Sequence, residues 1–197
     1  EAPATDSYWF PDYLADLDAL LDELYPGKTI DLVGHSMGGN VVMMYAGSRP
    51  ERIRRLVNLE GFGMAATSAA QAPSRMTQWL NEIKAQREDD NALKPYADAA
   101  GVAARLMKTN RRLGQGQADW LAQHWAQPGP DGQWRILGDS AHKVINPYLF
   151  RVEEALAMYQ RISAPVLAVE ASDDSLSQWW KGKYTLAEFH ERLKSVP

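Results

Sequence analysis

Residues Asp31–Gly39 read DLVGHSMGG, and the fold turns on how that stretch bends. Ahead of it, Thr29–Val33 (TIDLV) is short and rich in β-branched residues, which predicts a buried strand. Behind it, NVVMMYAG predicts a helix running to about Gly47. Gly34-His35-Ser36-Met37-Gly38 is therefore a G-x-S-x-G pattern at a strand-to-helix turn. So sharp a turn predicts strained backbone at Ser36 and bare glycines on either side, so that strand and helix can approach. The serine hydroxyl is then thrust out at the carboxyl end of a central strand, beside the positive end of a helix. The N–H of Met37 faces the oxyanion that develops in acyl transfer. The plainer alternative is an ordinary glycine-rich strand–helix turn.

The neighbouring segments fit an α/β arrangement. Pro11–Tyr25 places Tyr13, Leu14, Leu17, Leu20, Leu21 and Leu24 on one helical stripe, and Pro26-Gly27 stops it. Arg55–Glu60 (RLVNLE) predicts a second strand, making residues 29–60 a strand–helix–strand unit with parallel strands. Composition shifts at Gly61 to a loop, GFGMAATSAAQAPS. From about Ser74 to Arg161 the pattern is helical, with Trp79, Trp120, Trp125 and Trp134 and a turn signal at Pro128–Gly132. Strand character returns at Pro165–Glu170. A helical block between two strands of one sheet predicts an inserted cap: core at 1–65 and 162–197, cap at 66–161. Thr185–Lys194 predicts a last helix, opened by a T-L-A-E capping box at Thr185–Glu188.

Composition narrows the function classes. Hydrophobic residues are 45% of the 197, enough for a sizeable core, and the formal charge of −4 is mixed along the chain. No basic patch points to nucleic acid or an anionic membrane. No apolar run approaches the ~20 residues of a membrane helix. The chain has no cysteine, so neither a thiolate nucleophile nor a disulfide is available, which fits a reducing, cytoplasmic setting. It begins at Glu1 rather than methionine and stops at Pro197 just after the last predicted helix. Only three strands are predicted, which would leave a sheet with two unpaired edges. The expectation is an internal piece of a longer protein.

Three segments carry a family resemblance: LVGHSMGGNVVMMYAGSRPERIRRLVNLEGFG (Leu32–Gly63), DSAHKVINPYLFRVEEAL (Asp139–Leu156) and APVLAVEASDD (Ala164–Asp174). The chain resembles the α/β-hydrolase superfamily, in particular serine hydrolases with a helical cap. The resemblance implies a truncated α/β-hydrolase fold: a central parallel sheet with an inserted helical cap. Similar folds that act as dehalogenases or epoxide hydrolases carry aspartate where this chain has Ser36, so the resemblance implies acyl chemistry. It also implies a triad acid after a strand following the elbow. Ala171-Ser172-Asp173-Asp174 matches the family's G-x-x-D with Ala171 in place of glycine, which gives Asp174 as the acid. Asp173 is second choice. Glu60, at the end of the next strand, is a third candidate; its other reading is a hydrogen bond that shapes the EGFG loop after it.

The base is harder to place. His35 is held within the turn, His124 lies in the helical block, and His142 precedes the acid. His190 follows the acid but sits inside a helix, whereas the family's triad histidine follows a further strand. The reading assigns no catalytic histidine within the chain; it and the second oxyanion donor are expected outside it. The tryptophans, with Met64 and Met107, could line an apolar pocket over Ser36 or simply pack the cap helices. The expected substrate is a small uncharged ester, with no cofactor and no metal. Two other readings stay open: a non-catalytic small-molecule receptor, and carbon–carbon hydrolysis or cofactor-free perhydrolysis on the same fold.

Overall fold

Helix α1 (Phe10–Leu24) leads into strand β1 (Ile30–His35), helix α2 (Met37–Ser48) and strand β2 (Ile53–Leu59). The structure, a computed structural model, describes residues 5–88 and 93–197. Beyond β2 come α3 (Ala72–Arg87), α4 (Ala99–Thr109) and α5 (Gln115–Trp125). A hairpin follows, β3 (Ala126–Pro128) and β4 (Trp134–Ile136), then α6 (Val152–Tyr159), strand β5 (Val166–Val169), α7 (Ser175–Trp180) and α8 (Leu186–Leu193). Residues 89–92, inside the stretch read as helical, lie outside the described residues.

The main sheet runs β1-β2-β5 with both pairings parallel, as the strand–helix–strand reading requires. Two expectations need correcting. The strand bearing the elbow is an edge of this three-stranded sheet, with β2 in the centre, because β5 pairs with β2 rather than with β1. The block after Gly61 is also not wholly helical. Pro128–Gly132 turns a short antiparallel hairpin whose strands pair Ala126 with Ile136 and Pro128 with Trp134. Three-residue strands are too short to show a period of two, so nothing local marked them.

The two faces of the main sheet differ. On one, Leu32, Leu56 and Val166 form a row at a shared register and pack toward α1, α2 and α6. Leu21, Met43, Tyr45, Leu56, Tyr159 and Ile162 are buried in that core. Gly47 lets α2 and α6 touch: a Cβ there would lie 2.3 Å from the Met158 carbonyl oxygen. On the other face Val33, Val57 and Leu167 form the matching row, and Val33 and Leu167 are 64% and 58% exposed.

The chain divides into two compact units, residues 1–8 with 77–145 and residues 9–76 with 146–197. The composition shift drew the inserted block wider, at 66–161. The difference on the C-terminal side is α6, whose Tyr159 belongs to the sheet-side core. The smaller unit is built on alanine: Ala103 on α4 and Ala118 and Ala122 on α5 are fully buried, which lets the two helices approach closely. Its core also takes up Met107 and Trp134.

Candidate active site

Ser36 stands at the bend between β1 and α2 with φ 53° and ψ −119°, a region that non-glycine residues rarely enter. The residue is exposed. Its N–H donates to the Leu59 carbonyl at 2.8 Å, so the bend is pinned to the end of β2. Met37 is the first residue of α2, and its N–H belongs to the helix-start groups that have no intrahelical acceptor. That N–H and the helix dipole are available to an anion at the serine.

The glycines divide the work differently from the expectation. A Cβ at Gly34 would lie 2.2 Å from the Gly38 carbonyl oxygen, so Gly34 is required. At Gly38, by contrast, a Cβ would meet nothing within 4 Å. The second tight position is Gly39, where a Cβ would lie 2.3 Å from Asn58 Oδ1 and 2.8 Å from the Gly61 Cα. The start of α2 is thus packed directly on the loop that leaves β2.

Two asparagines fix that loop, and sequence reading passed over both. Buried Asn58 accepts from Gly61 N–H at 2.7 Å and donates from Nδ2 to the Gly61 carbonyl at 2.9 Å. Asn40, on the first turn of α2, accepts from Gly63 N–H at 2.7 Å. A polar residue at an inward position of a predicted strand was the available signal, since a buried amide demands partners. Arg192 of α8 adds a bond from Nη1 to the Met64 carbonyl at 2.7 Å and lies over the Tyr184 ring, 4.2 Å from its centroid.

The three acid candidates sit beyond two neighbouring strand ends, on the edge where Ser36 follows β1. Glu60 follows β2 and also has positive φ, 55°. Its Oε1 accepts from Ala171 N–H at 3.0 Å, across the sheet, rather than from the EGFG loop after it; Asn58 serves that loop instead. Asp174 follows β5 and caps α7, accepting from Ser177 N–H at 2.9 Å. The Ser177 hydroxyl, and then its N–H, holds the Asp174 carboxyl below the ordinary carboxylate range. The carbonyl of Asp173 accepts from Ser175 N–H at 2.7 Å.

Each histidine has a defined place. His35 shares a row with Leu59 on β2, one residue before the bend. His124 lies 4.0 Å from Trp120 ring to ring, and its Nδ1 is 2.7 Å from the Trp120 carbonyl. His142 stacks on Tyr8, with ring centroids 3.8 Å apart. His190 Nε2 lies 2.8 Å from Glu170 Oε2. Of the aromatic residues considered for a pocket, Trp120 and Trp125 are exposed. The described residues include no cluster of three or more His, Asp or Glu side chains placed to hold a metal ion. No described helix is long and apolar enough to cross a membrane.

With a parallel sheet, a strained serine at a strand–helix bend and carboxylates at the adjoining strand ends in place, comparison with known proteins gives the family. The α/β-hydrolase fold model matches residues 1–197, and the chain belongs to that family. A serine hydrolase-like protein of Danio rerio is 26% identical over 170 residues, covering 84% of this chain and 51% of that protein. An sn-1-specific diacylglycerol lipase, ABHD11, of the same organism is 33% identical over 115 residues, 54% of this chain and 35% of the lipase. Among solved structures, the hypothetical protein PA1622 of Pseudomonas aeruginosa PAO1 superposes with a TM-score of 0.81 at 25% identity. That superposition covers 100% of this chain and 66% of the other. The chain therefore spans about half the length of the first of these relatives and two thirds of the solved structure.

Proposed function

We propose that this chain carries the nucleophile of a serine hydrolase acting on carboxylic esters or related acyl bonds. The observation that supports it most is the Ser36 bend: an exposed serine, held at φ 53° and ψ −119°, directly before the first N–H of α2. Strain of this kind persists only where surrounding structure enforces it, and it collects at reactive residues. In this reading Ser36 Oγ attacks the acyl carbon while Met37 N–H stabilises the oxyanion. The alcohol leaves, and water hydrolyses the acyl-enzyme. Asp174 is the preferred orienting acid, with Asp173 as the alternative. None of the four histidines is assigned as the base in this reading; the base and the second oxyanion donor are assigned to segments outside residues 1–197.

The test is fluorophosphonate labelling of the full-length protein, with mass spectrometry to find the modified residue. Labelling is expected at Ser36 and absent in Ser36→Ala. Equal labelling of the two proteins would overturn the assignment. The chain of residues 1–197 alone is expected to turn over p-nitrophenyl esters no faster than its Ser36→Ala variant. A rate above that variant, abolished by His190→Ala, would move the base to His190.

A further inference from the structure

Among the described residues, three non-glycine residues have positive φ: Ser36, Glu60 and Lys181. Lys181 sits just after α7, at a helix end where the left-handed conformation is common. The other two each follow a parallel strand of the same sheet, on the same edge. In the serine hydrolase reading, strain at Ser36 presents the nucleophile. At Glu60, φ 55° is a conformation that glycine enters without penalty and a long side chain does not. A glutamate kept in such a conformation directs attention to what its side chain bonds.

Glu60 N–H donates to the Val169 carbonyl at 2.9 Å and so extends the β2–β5 ladder by one step. Its Oε1 then accepts from Ala171 N–H at 3.0 Å, two residues beyond Val169 on the segment that leaves β5. One residue before Glu60, the Leu59 carbonyl accepts from Ser36 N–H. A continuous set of bonds thus runs from the elbow, through Leu59 and Glu60, to the loop Ala171–Asp174. β5 ends at Val169, so that loop leaves the sheet just where Glu60 takes hold of it.

We propose that Glu60 is a positioning residue whose carboxylate clamps Ala171 N–H and so fixes the loop bearing Asp173 and Asp174 in register with Ser36. This rests on the serine hydrolase reading for its purpose, but the clamp itself can be tested without it. The Glu60 side chain reaches from the end of β2 to the segment that follows β5. In this role the charge of Glu60 is not needed, only an acceptor oxygen at that reach.

Three variants separate the clamp from its rivals. Glu60→Gln keeps an acceptor oxygen, Glu60→Ala removes it, and Glu60→Gly removes it while relieving the φ strain. The readouts are hydrogen exchange at the Ala171 amide, thermal midpoint, and kcat and KM (or the fluorophosphonate labelling rate) of the full-length protein. Glu60→Gly is expected to melt no lower than wild type, yet to exchange Ala171 at least about 10-fold faster and to lose about 10-fold in kcat with little change in KM. Glu60→Gln is expected to stay within about 2-fold of wild type in both exchange and kcat. Unchanged Ala171 exchange in Glu60→Gly and Glu60→Ala would overturn the clamp. Loss of kcat in Glu60→Gln as large as in Glu60→Ala would also overturn it, and would make Glu60 a charged participant in the reaction. Wild-type protein that is neither labelled at Ser36 nor active would sink the hydrolase reading alone, and the exchange arm would still decide the clamp.

Discussion

Ser36 holds a conformation that its own side chain disfavours, and the cost should be measurable. Replacing it with glycine keeps the bend and removes the Cβ conflict at φ 53°. Ser36→Gly is expected to raise the unfolding free energy by about 1 kcal/mol, read from urea melts, while abolishing fluorophosphonate labelling. The glycines around it allow a matched pair. Gly39→Ala drives a methyl to 2.3 Å from Asn58 Oδ1 and is expected to cost about 2–3 kcal/mol. Gly38→Ala meets no atom within 4 Å and sits inside α2, so it should be neutral or stabilise by up to ~1 kcal/mol. If the two variants melted alike, the packing of α2 on the Gly61 loop would be misdescribed. The G-x-S-x-G pattern could be read directly because a strand, a bend and a helix are each encoded within a few residues. The need for Gly39, one residue beyond the pattern, could not, because the atoms that crowd it come from Asn58 and Gly61, on another strand and its loop.

At the level of elements, α1 and α2 are joined by a polar contact at their exposed rim. Asp18 accepts from the Tyr45 hydroxyl at 2.8 Å and from Arg49 Nη2 at 3.2 Å. Arg49, and then Tyr45, holds the Asp18 carboxyl below its ordinary range, while burial first and Asp18 second push the Tyr45 hydroxyl up to about 12. For Asp18 the folded-state pKa is the lower one, so folding favours the carboxylate. Its contribution is whole above the unfolded carboxyl's pKa, near ~4, and is lost as pH falls through the folded value. Urea midpoints of the wild type should therefore drop as pH falls from about 5 toward 3. Asp18→Asn should start lower at neutral pH and drop less over that interval. An identical acid limb in the two proteins would remove Asp18 from the account. The α1 stripe was plain from its leucines, since a period of 3.6 shows within fifteen residues. The α8 cap was half legible. Thr185 does accept from Glu188 N–H, but the Glu188 side chain bonds Arg192 at 2.5 Å instead of turning back to the cap. A buried guanidinium partnered from within its own helix takes precedence over a capping box, because leaving that charge alone costs more.

Across the molecule, the feature with the largest physical consequence is the uneven covering of the β1-β2-β5 sheet. Parallel sheets are ordinarily covered on both faces, and here the row Val33–Val57–Leu167 has exposed apolar ends. A contiguous patch of this kind binds apolar dyes and promotes association. The chain of residues 1–197 should enhance anilinonaphthalene sulfonate fluorescence, and its sedimentation coefficient should rise with concentration. Leu167→Lys should reduce both effects with little change in melting temperature. Leu56→Ala, on the covered face at 1% exposure, should instead cost about 2–5 kcal/mol. Dye binding unchanged by Leu167→Lys would show that the patch lies elsewhere. The strand–helix–strand unit, the elbow and the parallel pairing were all written locally, in hydrophobic periods and turn residues that act over a handful of positions. What the local pattern could not contain was the strand order that makes β1 an edge, the hairpin in the alanine-built unit, and the reach of Glu60 to an amide 111 residues away. Those depend on which distant segments come to lie side by side, and that is settled by the packing of whole faces.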